Sequence, residues 1–356
     1  MVVLYILLAI VVLLLMIMIH ETGHYLAGKI LKFEIEEYSI GFGPKIFSKK
    51  LKSGEVFSLR WIPLGGFCAF KGEDEDEDNS EDTTGCFNSY PCWKRLIVLF
   101  AGAFFNFVSG ILFTFILLTT VGSGIAQIKD VVATNSNKDV LFENDIILEV
   151  DGREPTLLNG GIVGLMSEKD VGEDIVLTIN RDGEIIDVTV QKYQVYETDE
   201  EGNNVLDEDG NPIVAGKVIG ITSEYVKLSF GSALIKCVPY TFDIAWETLK
   251  MFGQLITGEL DIKNDVGGPI TTISMIASST QANIKNLLLL FPLLAVNLAV
   301  FNLLPIPALD GARMVFVLIE WIFRKPVPRN IEAKIHGIGL LVLFGFVIIV
   351  DILHFF

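Results

Sequence analysis

Four apolar runs punctuate the chain, at residues 2–24, 96–121, 286–309 and 335–356. Each approaches or exceeds the roughly 20 residues that a helix needs to cross a bilayer, so each predicts a membrane span. The first, VVLYILLAIVVLLLMIMIH, is almost purely aliphatic until His20. The second, LIVLFAGAFFNFVSGILFTFILLTTV, carries small residues and Asn106, which suit helix–helix packing better than lipid. The third, LLLLFPLLAVNLAVFNLLPIPALDG, is broken by Pro305 and Pro307. The fourth, HGIGLLVLFGFVIIVDILHFF, reaches Phe356. The N-terminal run lacks a basic leader and a small-residue cleavage site, so it reads as a retained helix rather than a signal peptide.

Between the runs the pattern changes period. Residues 31–95 alternate apolar and polar positions with Gly and Pro punctuation, the pattern of short strands and hairpins. They are apolar enough to lie on the membrane or dip into it, where protein must cover the backbone. In 122–225, ENDIILEVDGREP predicts a strand and a turn at Asp151-Gly152. DIVLTINRDGEIIDVTVQKY predicts two strands joined through Asp182-Gly183. A polar insertion occupies 197–212. Residues 226–285 predict amphipathic helices, as in YTFDIAWETLKMFGQLI.

Basic residues orient the spans. The segment 313–334 carries Arg313, Arg324, Lys325, Arg329 and Lys334, and 31–95 is rich in lysine. The longer 122–285 segment is sparse in both. The positive-inside rule then places 31–95 and 313–334 in the cytoplasm, with 122–285 and both termini outside. The expected division is a first span over 1–30, a cytoplasmic hairpin region over 31–95 and a second span over 96–121. A globular domain over 122–225, helices over 226–285, a third span over 286–312, a loop over 313–334 and a fourth span over 335–356 follow.

Composition agrees with this frame. Mean hydropathy is +0.51. The net charge of −17 over 356 residues argues against nucleic acid as a partner. The four cysteines form no metal-binding spacing and read as free thiols. The acidic run EDEDEDNSED, 73–82, reads as a solvated loop.

The chemistry sits where the first span ends. HETGH puts His20 and His24 at i and i+4 on one helix face, where both imidazoles can reach one Zn²⁺. Glu21 projects nearby as a candidate base. The alternative is a pair of interfacial histidines hydrogen-bonded to neighbours, but ionisable groups inside membranes are costly and usually functional. A catalytic zinc site typically needs a third protein ligand. The first and third spans run in the same direction, and Asp310 closes the third at a depth comparable to His20. Asp310 is therefore the candidate third ligand, against the alternative of an ordinary boundary acid. His336 and His354 flank the last span, and no spacing ties them to the site.

These residues, with NLLPIPALDG at 302–311, resemble the site-2 protease family of intramembrane zinc metalloproteases, closest to its RseP-type (regulator of sigma-E protease) bacterial branch. PLGGF at 63–67 is similar to that branch's glycine turn in a membrane-associated β-hairpin. AGAFFNF at 101–107 resembles its A-G-P-x-x-N-F stretch, with Ala103 replacing proline. NDIILEVDG at 144–152 resembles a PDZ-domain core, with Asn144 replacing glycine. The chain has room for one such domain, where well-known members carry two.

The resemblance implies a polytopic α-helical protein with four transmembrane helices, a membrane-associated β-hairpin region and one extracytoplasmic PDZ-like α+β domain. It implies a multi-pass protein of the bacterial inner membrane that cleaves single-pass membrane proteins, such as anti-sigma factors already trimmed by a site-1-type protease, or remnant signal peptides. His20, His24 and Asp310 would hold zinc, and Glu21 would be the base. Asn302, Gly65 and Gly66 would bind the substrate backbone. The other expectations left open are a membrane zinc transporter or sensor, whose ligands would line a path across the bilayer, and a catalytically inactive PDZ scaffold.

Overall fold

The computed structural model describes residues 2–73, 85–198, 204–207 and 210–355. In chain order the elements are α1 (Val2–Leu31), β1 (Ile35–Lys50), β2 (Val56–Phe70) and α2 (Cys92–Thr120). Then come β3 (Ala126–Val131), β4 (Ile146–Val150), α3 (Gly161–Ser167), β5 (Asp174–Arg181), β6 (Glu184–Gln191), β7 (Tyr193–Tyr196), β8 (Val214–Val218) and β9 (Ile221–Tyr225). The chain closes with α4 (Phe230–Thr257), α5 (Ile262–Asp265), α6 (Pro269–Ala282), α7 (Asn286–Leu303), α8 (Asp310–Phe323) and α9 (Arg329–Phe355). Two units emerge: Met1–Thr114 with Lys236–Phe356, and Phe115–Ile235. Residues 74–82 of the acidic run and part of the 197–212 insertion lie outside the described residues.

Among the described residues four helices are long and apolar enough to cross a membrane: α1, α2, α7 and α9. They match the four apolar runs, and the protein is a multi-pass membrane protein with a β-containing domain. Helix is the form that lets an apolar segment satisfy its own backbone groups in lipid.

The third span is shorter than the apolar run suggested. Helix α7 stops at Leu303, and Leu304 is extended at φ −67°, ψ 145°. A residue before proline is pushed out of the helical region, and Pro305 and Pro307 cannot donate to a helical ladder. The chain then re-enters a helix at Asp310, so much of the expected loop 313–334 is instead α8.

Residues 226–285 carry α4, α5 and α6. They form helices, and α4 and α6 pack against the apolar helices. Thr241 Oγ1 of α4 donates to Thr114 Oγ1 of α2 at 3.0 Å, and Thr248 Oγ1 donates to Asn297 Oδ1 of α7 at 2.6 Å. Ile276 of α6 is buried with Ala9, Val12 and Met16 of α1 and Ala295 of α7. The first turn of α6 is held from α9: the Asp351 carboxylate accepts from the amides of Ile270 and Thr271, both at 3.1 Å. An apolar face marks what a helix packs with; its polar face can be matched by neighbouring Thr and Asn as well as by water.

The hairpin β1–β2 is bent into four paired segments. Residues 35–40 of β1 lie against 66–70 on one edge and 56–59 on the other, and 45–50 pair with 56–60. Tyr38 therefore lies opposite both Cys68 and Phe57. Gly41 and Gly43, at φ +86° and +81°, make the bend in β1.

The second unit is a five-stranded antiparallel sheet in the order β6-β5-β4-β3-β9. Strands β5 and β6 pair from Asp174↔Gln191 to Arg181↔Glu184. Asp182 and Gly183 close the hairpin with φ +52° and +94°, as a two-residue loop matching the strand twist demands. Ile128, Ile147, Val150, Ile175, Leu177 and Ile179 form its buried core beside Ile162 and Leu165 of α3. The ends of the insertion extend a separate β7–β8 ribbon.

Candidate metal centre

The site begins with two helices that touch backbone to backbone. A Cβ on Gly23 of α1 would lie 2.3 Å from the Ala101 carbonyl oxygen of α2. A Cβ on Gly102 would lie 2.4 Å from His24 Nε2 and 2.7 Å from His20 Cε1. Only hydrogen at both positions lets α2 press the two imidazoles into place. One helical turn apart, the rings stand edge to face with centroids 4.7 Å apart. Both histidines are 7% exposed. His24 Nδ1 is 2.8 Å from the Val98 carbonyl oxygen, and His20 Nδ1 is 3.4 Å from Asn106 Nδ2.

Asp310 arrives through the broken segment after α7. Ala308 sits at φ +85°, and its N–H donates to His336 Nδ1 of α9 at 3.0 Å. That bond leaves Asp310 in the first turn of α8. Ten residues on, Glu320 is gripped by Arg95 of α2 through two bonds of 3.0 and 2.5 Å, with Arg95 only 1% exposed. Spacing alone could not reveal His336 or Arg95, since each acts on the site through the chain folding back.

Asp310 Oδ2 lies 3.0 Å from His20 Nε2 and 3.2 Å from His24 Nε2, and the two Nε2 atoms are 3.1 Å apart. This is the cluster among the described residues able to hold a metal ion. A tetrahedral ion with ligands at 2.0–2.1 Å has ligand–ligand edges of about 3.3 Å, close to all three separations. Asp310 Oδ2 is buried and makes no well-formed hydrogen bond. Two nitrogens and an oxygen converging on one point are a donor set whose chemistry suits a zinc ion.

Glu21 lies within electrostatic reach of His20, His24 and Asp310, and the Cys68 amide of β2 faces its carboxylate. The edge segment 66–70 therefore runs past Glu21. A Cβ on Gly66 would stand 3.3 Å from Glu21 Cγ, so Gly66 borders the site. Gly65, at φ +126°, instead faces the Phe42 ring. Asn302 lies outside the cluster, and its amide donates to the Leu298 carbonyl of its own helix at 3.0 Å. A cavity of about 690 Å³ opens among α2, α4 and α7, lined by Ala103, Phe104, Phe107, Trp246 and Leu303.

The family model described as Peptidase family M50 matches residues 8–346, almost the whole chain and every part of this site. The chain belongs to peptidase family M50. That is the site-2 protease family its motifs resemble, and it makes the protein a zinc-dependent metallopeptidase. The M50 chain is similar end to end to curated relatives. A candidate zinc metalloprotease of Clostridium perfringens is 31% identical over 345 residues, covering 95% of this chain and 94% of that one. Another from Fusobacterium nucleatum is 32% identical over 352 residues, covering 97% of each. A candidate chloroplast membrane metalloprotease of Arabidopsis thaliana is 30% identical, covering 95% of this chain and 77% of its own.

Proposed function

We propose that this M50 peptidase hydrolyses peptide bonds within or next to the spans of single-pass membrane proteins, with His20, His24 and Asp310 as zinc ligands and Glu21 as the proton carrier. The observation that carries this reading is the convergence of the three donor atoms within 3.0–3.2 Å, beside a glutamate on the same helix. A zinc ion bound there would polarise a carbonyl and bring the pKa of a water to about 7. Glu21 takes the proton of the attacking water and delivers it to the leaving amine nitrogen. The two imidazoles and Asp310 lie within electrostatic reach of that carboxylate, and the Cys68 amide faces it.

A substrate helix hides its carbonyls in i→i−4 bonds and must unwind before attack. The segment 66–70 supports a role in that step, because it is the edge of the bent sheet and it passes Glu21. A freed substrate strand would gain backbone partners there, by strand addition. The apolar cavity among α2, α4 and α7 fits an occupant that arrives through lipid. Asn302 would join the substrate backbone by giving up its bond to Leu298. We assign the second unit a PDZ-like role outside the bilayer, as a gate against bulky ectodomains, and the chain to the bacterial inner membrane with both termini outside. Substrates would be anti-sigma-like proteins trimmed by a first protease, or remnant signal peptides.

Mass spectrometry of membranes from cells carrying the wild type or Glu21→Gln tests this reading. Single-span fragments should accumulate with the variant. Identical fragment inventories, with the variant folded and zinc-loaded, would sink it.

A further inference from the structure

Asn106 has no evident reason to be where it is. It sits in the middle of the apolar helix α2, it is 0% exposed, and its Oδ1 is a buried atom with no hydrogen-bond partner. Polar groups at such depth are expensive unless they are used. Its Nδ2 stands 3.4 Å from His20 Nδ1.

The arrangement makes sense only when the tautomer of His20 is considered. His20 turns Nε2 toward Asp310 and His24. A neutral imidazole has one acceptor nitrogen and one N–H. If Nε2 is to offer a lone pair to a metal, Nδ1 must carry the proton, and its partner must be an acceptor. An amide nitrogen cannot serve. Rotating the Asn106 amide by 180° places Oδ1 against that N–H, a choice that hydrogen bonding decides. One amide atom stays open either way, but the rotation gains a bond.

We propose that Asn106 is the positioning residue for His20, accepting the Nδ1–H proton through its side-chain oxygen and so presenting Nε2 to the metal. His24 already has the equivalent support, since its Nδ1 faces the Val98 carbonyl at 2.8 Å. Both ligands would then be oriented by α2, one through backbone and one through Asn106. Such outer partners fix the ring and raise its basicity, and their loss typically weakens metal binding about 10–100-fold. This inference rests on the zinc-ligand reading above.

The test is zinc affinity by chelator competition on the purified full chain, with the Co²⁺ absorption spectrum as a second readout, for wild type, Asn106→Leu, Asn106→Asp and His20→Ala. The expected result is a fall of about 10–100-fold for Asn106→Leu, with an altered Co²⁺ spectrum. Asn106→Asp, still an acceptor, should bind at least as tightly as wild type. If wild type and His20→Ala bind zinc alike, the ligand reading fails and this inference with it. If zinc binding depends on His20 but Asn106→Leu leaves affinity and spectrum unchanged, the inference alone is overturned. It is also overturned if Asn106→Asp binds as weakly as Asn106→Leu, because a packing role would treat the two alike.

Discussion

His20 Nε2 and Asp310 Oδ2 stand 3.0 Å apart, joined across nearly the whole length of the chain. With His24 Nε2 they place three lone-pair donors around one point inside a membrane protein. Such a set is self-repulsive without a cation or shared protons, and self-consistent with one. Removing zinc should therefore loosen the packing of α1, α2 and α8. Thermal melts in detergent should show a chelator-dependent fall in midpoint that zinc restores. Zinc at about 1,000 times its Kd would contribute about 4 kcal/mol. A midpoint indifferent to zinc would contradict a site bound only in the folded state.

Gly102 controls that convergence by close approach. Gly102→Ala would put a methyl 2.4 Å from His24 Nε2, against a buried ring already held by the Val98 carbonyl. Zinc content by plasma mass spectrometry should drop from about one per chain to near zero. Gly253→Ala on α4, whose Cβ would meet nothing within 4 Å, should keep its zinc. Equal zinc in both variants would show that α2 is free to retreat.

Part of this cluster is legible in the sequence, for particular reasons. His20 and His24 share a face because four residues make about one helical turn, and that holds in any environment. The depth of Asp310 in a span interrupted by proline points to it as their partner. Other features were hidden. Helical spacing in 226–285 reports an apolar face but not whether the other face meets water or Thr114 and Asn297. Asn106 read as packing glue because its partner, His20, lies on another helix. His336 showed no tie to the site because the tie is a backbone amide, which every residue owns.

The loop before Asp310 carries a second dependence. Ala308 holds φ +85°, a left-handed conformation costing about 1 kcal/mol for alanine, and its amide is answered by His336. Ala308→Gly should raise stability by up to about 1 kcal/mol. His336→Leu should lower it by roughly 1–3 kcal/mol and reduce zinc occupancy. Chemical denaturation with parallel metal analysis checks both. A His336→Leu protein with wild-type zinc content would show that Asp310 is placed without this contact.

The hairpin is fastened to α1 by Glu55, whose carboxylate takes bonds from Lys29 at 2.7 Å and from Tyr25 and Ser53 at 2.9 Å each. Burial alone would raise its pKa, but Lys29, the loop backbone and the two hydroxyls outweigh burial and hold it down to about 2. A depressed carboxylate adds stability that is fully present above its usual value near 4.5 and is lost as pH falls toward 2. Limited proteolysis of residues 35–70 should therefore speed up between pH 4.5 and 3 in wild type. Glu55→Gln should be cleaved faster at pH 7 and show little further change on acidification. A wild-type profile flat across that window would count against the fastening.

The most direct test of metal-dependent intramembrane proteolysis uses a tagged single-span reporter, such as a remnant signal peptide, co-reconstituted in liposomes with the purified chain. Wild type should produce a cut within or next to the span, a chelator should abolish it, and zinc should restore it. Glu21→Gln should bind one zinc and produce no cut. Cleavage by Glu21→Gln at the wild-type rate, or by wild type stripped of zinc, would contradict the account.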